Sequence, residues 1–246
     1  MDQSTSTQLR ECWWEKKYYK SGKNNIKRLI GCYIICKVVL IVMHRFKSWT
    51  GIAPWNGFPG IVGAIDGTHI AIKAPKNNPQ SYVNRKNFHS SQLQCVCLHN
   101  RLFSHVFVWY PGSVHDSRVL KNSDLWDMGL VKCNNVFHIL GDAAYPLWMW
   151  LLTPYRDNGH SSPQQRKYNY YHSTNRLVIE RCFALLKSRF RRLHMIDTHS
   201  VPKACEIIMT CCILHNVCIM KIDVFDVDLA DGGCNDNKAN MCLDFF

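Results

Sequence analysis

The chain has 246 residues, 47% of them hydrophobic, which fits one domain or slightly more, with ample apolar content for a single core. A net charge of +12 and a pI near 9.2 favour a polyanionic partner, which for such a domain most often means nucleic acid. The apolar run 30–43 is broken by Lys37 and is shorter than the roughly 20 apolar residues that span a membrane. We therefore expect no membrane association.

The N-terminal region, residues 1–54, is basic and apolar and carries no pattern typical of a DNA-reading helix-turn-helix. Aromatic and basic residues precede the run 30–43, which we interpret as a buried helix. Residues 55–220 form the predicted main domain. The last segment, 221–246, is rich in aspartate, glycine and asparagine, and we expect it to be disordered.

Four apolar runs predict β-strands within the main domain. The first ends in Asp66, and the second and third flank a polar turn at 99–101. Apolar runs of this length, separated by turn residues, are typical of strands in a mixed α/β domain. The four runs are 61–66, 93–98, 103–109 and 136–141.

Three helices are predicted between and after these strands. One begins near His115, where Asp116 and neighbouring serines can cap the first turn. A second extends over residues 176–192, with apolar residues at helical spacing along one side. A third, roughly 202–220, is apolar over much of its circumference and should pack in the core.

Three acidic residues lie where a carboxylate has no evident structural role. Asp66 and Asp142 end apolar, strand-like runs, and Glu180 borders the apolar stripe of a helix. Each has an ordinary explanation by itself, since Asp beside Gly is common in turns and a glutamate on a basic helix is usually a solvated ion-pair partner. Carboxylates of this kind suit a metal-binding catalytic set, and their order along the chain resembles that of an RNase H-like α/β core, a mixed sheet flanked by helices.

Six segments, in order and at plausible spacing, resemble the PIF/Harbinger transposases and the nucleases derived from them, which are DDE superfamily endonucleases. The resemblance covers about residues 55–220, and the ordered combination is far more specific than any single motif. Ala144 departs from the family pattern, which commonly has glycine there. The segments are GFPGIVGAIDGTHIAIKAP (57–75), YVNRKNFHS (82–90), WYPGSVHDSRVLKNS (109–123), GDAAYPLWMWLLTPY (141–155), VIERCFALLKSRFRRLH (178–194) and KACEIIMTCCILHNVC (203–218).

The resemblance implies roles for four acids. Asp66, Asp142 and Glu180 match the family's catalytic residues, and Asp116, in the tripeptide His-Asp-Ser, matches a further metal ligand. It also implies a divalent cofactor, Mg²⁺ or Mn²⁺, and DNA as the substrate. A separate Myb-like DNA-binding partner is expected to direct the protein to its targets and into the nucleus, with the cytoplasm as a second location.

Basic residues cluster on both sides of the predicted acidic site. Each cluster by itself could be a solvated loop or helix face. Beside a metal site they are better explained as contacts to backbone phosphates, which give salt-sensitive and largely sequence-independent affinity. The predicted nucleic-acid contacts are Lys73, Lys76, Arg85, Lys86, Lys187, Arg189, Arg191 and Arg192.

Thirteen cysteines raise the question of disulfides or zinc. Their spacing is irregular, so we expect reduced thiols, as in nuclear or cytosolic proteins. The residues Cys211, Cys212, His215 and Cys218 have a helical spacing that could suggest zinc, but they lie in an apolar helix that needs core side chains. Core packing is the favoured interpretation.

Two functions of different class follow. The first is a metal-dependent nuclease that acts on DNA phosphodiester bonds. The second is a catalytically inactive descendant that binds DNA or recruits proteins. The complete acidic set favours the enzyme, and the absence of a recognisable DNA-reading region in residues 1–54 favours the binding module.

Overall fold

The computed structural model describes residues 58–133, 136–156 and 158–221. The predictions made for residues 1–54 and for 222–246 of the acidic tail lie outside these ranges. Within them, the chain forms a six-stranded mixed sheet flanked by helices. The strands are β1 (Ile61–Ile72), β2 (Ser90–Cys97), β3 (Phe103–Pro111), β4 (His138–Leu140), β5 (Leu151–Leu152) and β6 (Met195–Ile196), and the helices are α1 (Asp116–Lys121), α2 (Asp124–Cys133), α3 (Pro163–Arg189) and α4 (Val201–Met220).

The sheet has the strand order β3-β2-β1-β4-β5, with β1 in the centre. The first three strands form an antiparallel meander, and β4 and β5 add to it in parallel. Strand β6 pairs in parallel with Ala71 and Ile72 at the far end of β1. This arrangement confirms the predicted α/β fold class, an RNase H-like mixed sheet flanked by helices.

Both faces of the sheet bury an apolar cluster. Successive side chains of a strand point to opposite faces, so β1 supplies residues to both clusters. On one face Ile70 belongs to the cluster that includes Ile179 of α3 and Ile208 of α4. On the other, Ile65 belongs to the cluster that includes Leu120 of α1.

The predicted strand bounds need two corrections. Strand β1 does not end at Asp66, because its pairing with β2 continues residue by residue as far as the pair Ala71 and Ser90. Asp66 is therefore a mid-strand residue. The predicted strand 136–141 is shorter in the structure, where β4 comprises three residues and Asp142 follows it after Gly141.

Helix α3 begins well before the predicted range 176–192. Ser162 caps it, since its Oγ accepts from the Gln165 amide at 3.2 Å while Gln165 Oε1 accepts from the Ser162 amide at 2.9 Å. Pro163 occupies the first turn, where its fixed φ suits a helix and its missing N–H is no loss. The apolar stripe marks only the second half of the helix, and a 3-10 turn over residues 191–194 follows α3.

Helix α4 is the one helix in the described ranges that is long and apolar enough to cross a membrane by length and composition. Core helices of soluble proteins meet the same criterion, and Cys205, Cys211 and Cys212 of α4 are buried in the cluster with α3. The His215 ring nitrogens lie 3.0 Å from the Arg101 carbonyl oxygen and 3.3 Å from Arg189 Nη1. These contacts support core packing over the zinc alternative.

Candidate active site

The sheet register places Asp66 next to Asp142. Ala64 of β1 pairs with Leu140 of β4 in parallel, and each acid follows that pair by two residues. Asp142 Oδ1 accepts a hydrogen bond from the Ala144 amide at 3.0 Å, which closes the turn after β4. Ala144 is not among the described residues with a positive φ, so alanine fits this turn without backbone strain.

Asp116 reaches the same place from the first turn of α1. A Cβ atom at Gly67 would lie only 2.1 Å from Asp116 Oδ1, so a larger residue after Asp66 would displace the Asp116 carboxylate from its present position. Gln92 Nε2 donates to the same carboxylate oxygen. Asp116 is thus held against β1 and β2 by both packing and a hydrogen bond.

A second glutamine on β2 extends this polar network. Gln94 is fully buried, and its Nε2 donates to the Asp116 carbonyl oxygen at 3.1 Å and to the Tyr145 hydroxyl oxygen at 3.0 Å. Burial, followed by the charges of Asp116, Asp66 and Asp142, raises the pKa of Tyr145 well above its usual range. The phenol therefore stays neutral and ties the turn after β4 to β2.

Glu180 is connected to Asp66 through an arginine. Arg176 Nη1 lies 3.0 Å from Asp66 Oδ2, and Arg176 Nη2 donates to Glu180 Oε1, one turn further along α3. The other oxygen of Asp66, Oδ1, accepts from the Gly67 amide at 2.8 Å. The side chains of Asp66 and Arg176 are 20% and 22% exposed, against 45% for Glu180. Arg176 therefore connects a mostly buried carboxylate to an exposed one.

The three aspartates repel one another. Burial raises the pKa of Asp66 to about 6, and the charges of Asp142 and Asp116 add to this, against the Gly67 amide and Arg176. Burial and then Asp142 also raise the pKa of Asp116. Carboxylates from β1, α1 and the turn after β4 are therefore close enough to disfavour simultaneous ionisation.

The chemistry of this set suits a divalent cation, since Mg²⁺ and Mn²⁺ prefer carboxylate oxygens. The present arrangement is not closed around an ion: in the part of the chain that the structure describes, no three His, Cys, Asp or Glu side chains are grouped to hold one. The guanidinium of Arg176 lies between Asp66 and Glu180 instead. The carboxylate oxygens are suitable ligands for Mg²⁺ or Mn²⁺, and in the present arrangement the Arg176 guanidinium supplies the positive charge beside them.

Three of the predicted phosphate contacts lie beside the acids. Lys187 of α3 donates to Thr68 Oγ1 at 2.8 Å and to the His69 carbonyl oxygen at 3.3 Å, and burial and then Lys86 lower its pKa. The pKa of His69 is lowered by burial and by the charges of Lys187, Lys86 and Arg85, so these cations surround it. Arg85 Nη2 also contacts the ring of His115, the residue before Asp116, with 2.6 Å to Nε2.

The remaining predicted contacts are placed differently. Lys73 forms an ion pair with the exposed Asp197. Hydrogen bonding to Lys73 lowers the pKa of Asp197, and the charge of Arg192 lowers it further. Lys76 and Arg191 are exposed. Arg189 corrects the prediction, because it is buried against His215 in the core and is not presented to a phosphate backbone.

Comparison with known proteins identifies the family. Residues 65–216 match the family model described as DDE superfamily endonuclease, which is more than half of the chain. The chain belongs to this family. The resemblance to the PIF/Harbinger-derived nucleases is thereby confirmed. No solved structure gives a significant match.

Several relatives of this DDE-family chain have names. The protein named Putative nuclease HARBI1 is 38% identical over 164 residues in both Bos taurus and Homo sapiens, covering 65% of this chain and 46% of the relative. Protein ALP1-like from Arabidopsis thaliana is 34% identical over 197 residues, covering 72% of this chain and 46% of the relative. The chain thus spans about half the length of the relatives it matches.

Three residues of the site, Gln92, Gln94 and Arg176, were not predicted from the sequence motifs. Gln92 and Gln94 could have been noticed as polar residues at alternate positions, with the apolar Leu93 between them and an apolar run after them. Arg176 lies four residues before Glu180, a spacing that places the two on one helix face. Its contact with Asp66 depends on the packing of α3 against β1, which the sequence pattern does not specify.

Proposed function

We propose that this chain is a metal-dependent endonuclease that hydrolyses DNA phosphodiester bonds. The observation that carries the proposal is the convergence of Asp66, Asp116 and Asp142 from three separate elements, with the pKa of Asp66 raised to about 6. Such convergence costs folding free energy, and active sites are where proteins commonly retain it. Membership of the DDE superfamily endonucleases supports the same conclusion.

The acids act as positioning ligands in this proposal. Mg²⁺ or Mn²⁺, held by Asp66, Asp142 and Glu180 with Asp116 as a further ligand, would activate the attacking water or hydroxyl and stabilise the leaving oxygen. Gln92 keeps one oxygen of Asp116 fixed through its hydrogen bond. Because one oxygen of each aspartate already accepts a hydrogen bond, the other is left for a ligand or for Arg176.

The basic residues beside the acids are proposed to hold the DNA backbone. Arg85 and Lys86 are exposed on the loop that follows β1, and both influence His69 electrostatically. Lys187 is half-buried and fixed by Thr68, so it would present a positioned ammonium group. Contacts of this kind carry no base information, so we also propose that a Myb-like partner supplies sequence recognition and nuclear targeting.

A plasmid-nicking assay tests the proposed activity. The natural chain should nick supercoiled DNA with Mg²⁺ or Mn²⁺, and Asp66→Ala, Asp142→Ala and Glu180→Ala should each abolish nicking. Asp127→Ala is the control, because Asp127 is an exposed acid of α2 that belongs neither to the acidic set nor to the predicted DNA contacts. Equal nicking by Asp66→Ala and the natural chain would contradict the proposal.

A non-catalytic DNA-binding or protein-recruiting role is the second candidate. It is supported by the lack of a ready-made three-ligand metal group in the described residues. A plant relative that is 29% identical over 203 residues is named Antagonist of Like Heterochromatin Protein 1, which describes no enzyme. DNA binding without nicking in either metal, by a chain whose fold is intact, would favour this role.

A further inference from the structure

Arg176 is the one feature of the acidic site that a metal-binding role does not explain. Its guanidinium reaches Asp66 Oδ2 at 3.0 Å from one nitrogen and Glu180 Oε1 from another. The two carboxylates come from different elements, the central strand and α3. Arg176 therefore bridges two acids that the proposed function assigns to a cation, and its contact with Asp66 joins α3 to the sheet.

A guanidinium is well suited to this place. It stays protonated at any physiological pH, and its planar array of N–H groups can address two carboxylates at once. The surrounding charge favours it, since the charges of Asp142 and Asp116 also act on Asp66. Without a positive charge, these acids would face each other in a partly buried space, which is unfavourable.

We propose that Arg176 is the internal counter-ion of the metal-free site, and that a divalent cation binds by displacing it from Asp66 and Glu180. This inference rests on the proposed function. It gives Arg176 two opposite effects, because the residue stabilises the metal-free fold and competes with the metal for the same oxygens. A purely structural arginine would support both the fold and the metal site.

The opposite effects can be measured on Arg176→Gln, which keeps a polar side chain and removes the charge. Calorimetric titration with Mn²⁺ should give an affinity on the order of tenfold higher than that of the natural chain, because one positive charge at contact distance is gone. Thermal unfolding in EDTA should occur at a lower temperature, and the rise on adding saturating Mn²⁺ should be larger than in the natural chain.

Two further variants separate charge from position. Arg176→Lys keeps the charge and should leave Mn²⁺ affinity near that of the natural chain. Arg181→Gln removes the same charge from an exposed position beside Glu180 and should change affinity much less. Equal or weaker Mn²⁺ binding by Arg176→Gln overturns the inference and leaves the proposed function standing. If neither the natural chain nor any of the variants binds Mn²⁺, both the inference about Arg176 and the proposed function are overturned.

A measurement on the natural chain covers the case in which Arg176→Gln does not fold. Phenylglyoxal modifies accessible guanidinium groups, and mass spectrometry reports the extent at each arginine. Adding Mn²⁺ should increase modification of Arg176 relative to Arg181, since the metal releases it from two carboxylates. An unchanged or reduced ratio would show that Arg176 keeps its ion pairs when metal binds.

Discussion

Replacing Asp66 with asparagine should stabilise the metal-free chain at neutral pH. The pKa of this carboxyl is raised from 3.8 to about 6, first by burial and then by Asp142 and Asp116, with Arg176 opposing the rise. Each unit of pKa difference between folded and unfolded chain corresponds to about 1.4 kcal/mol, so the ionised group costs the folded state about 2–3 kcal/mol. Asparagine has nearly the same shape and no charge, so it removes that cost.

The effect should depend on pH in a defined direction. Between about pH 4 and pH 6 the folded chain holds the Asp66 proton more tightly than the unfolded chain does, so this group makes stability fall as the pH rises. Below that interval the carboxyl is neutral in both states and the cost is absent. Above it the carboxyl is ionised in both states and the cost is complete. The advantage of Asp66→Asn should therefore grow from about pH 4 to about pH 6 and level off towards pH 7.5.

Urea unfolding in EDTA measures this advantage as a difference in the free energy of unfolding. Asp197→Asn is the matched control, because hydrogen bonding to Lys73 lowers the pKa of Asp197 and its ionised form is the favoured one. That control should not gain stability at neutral pH. A difference between Asp66→Asn and the natural chain that stays constant with pH, or a loss of stability at about pH 7.5, would refute the reasoning.

Three further outcomes are expected. Gln92→Leu should reduce metal-dependent nicking strongly while costing about 1–3 kcal/mol of stability, because Asp116 loses its buried donor; unchanged nicking would show that Asp116 needs no such support. Arg85→Glu with Lys86→Glu should weaken binding to all duplexes alike and flatten the salt dependence in fluorescence anisotropy, by about 0.9 in logarithmic slope for each phosphate that is no longer neutralised. Lys203→Glu, at an exposed position of α4, should not have this effect. Selection from random duplex DNA with the isolated chain should recover no sharp motif; a sharp motif would mean that the chain reads bases without a partner.

The sequence was sufficient to predict the fold class and to nominate the acids. Apolar runs separated by polar turns marked the strands, and carboxylates beside such runs stood out because burial disfavours them. The same reasoning placed Asp66 at the end of a strand, which was wrong. Strand length here is set by the hydrogen-bonding partner β2, and that pairing continues past the acid.

Contacts between distant segments account for what the sequence could not provide. Arg176 and Asp66 are 110 residues apart, and Gln94 and Tyr145 are 51 apart. Such pairs depend on sheet register and helix placement, which no local pattern encodes. Arg189 was misassigned for the same reason, since its basic neighbours suggested a surface position and only the packing of α3 against α4 places it in the core.

The contact of Lys187 with the His69 carbonyl oxygen also affects how the lineage can change. On one edge of β1, the pairing with β4 ends at Ala64 and the pairing with β6 begins at Ala71. His69 lies between these two partners, and in the described chain Lys187 donates to its carbonyl oxygen where a neighbouring strand would otherwise do so. In a relative without the proposed activity, this lysine would still satisfy the His69 carbonyl group, whereas an ionised Asp66 would still cost folding free energy with no activity to retain it. We therefore expect catalytically silent relatives to have lost the aspartate and kept the lysine.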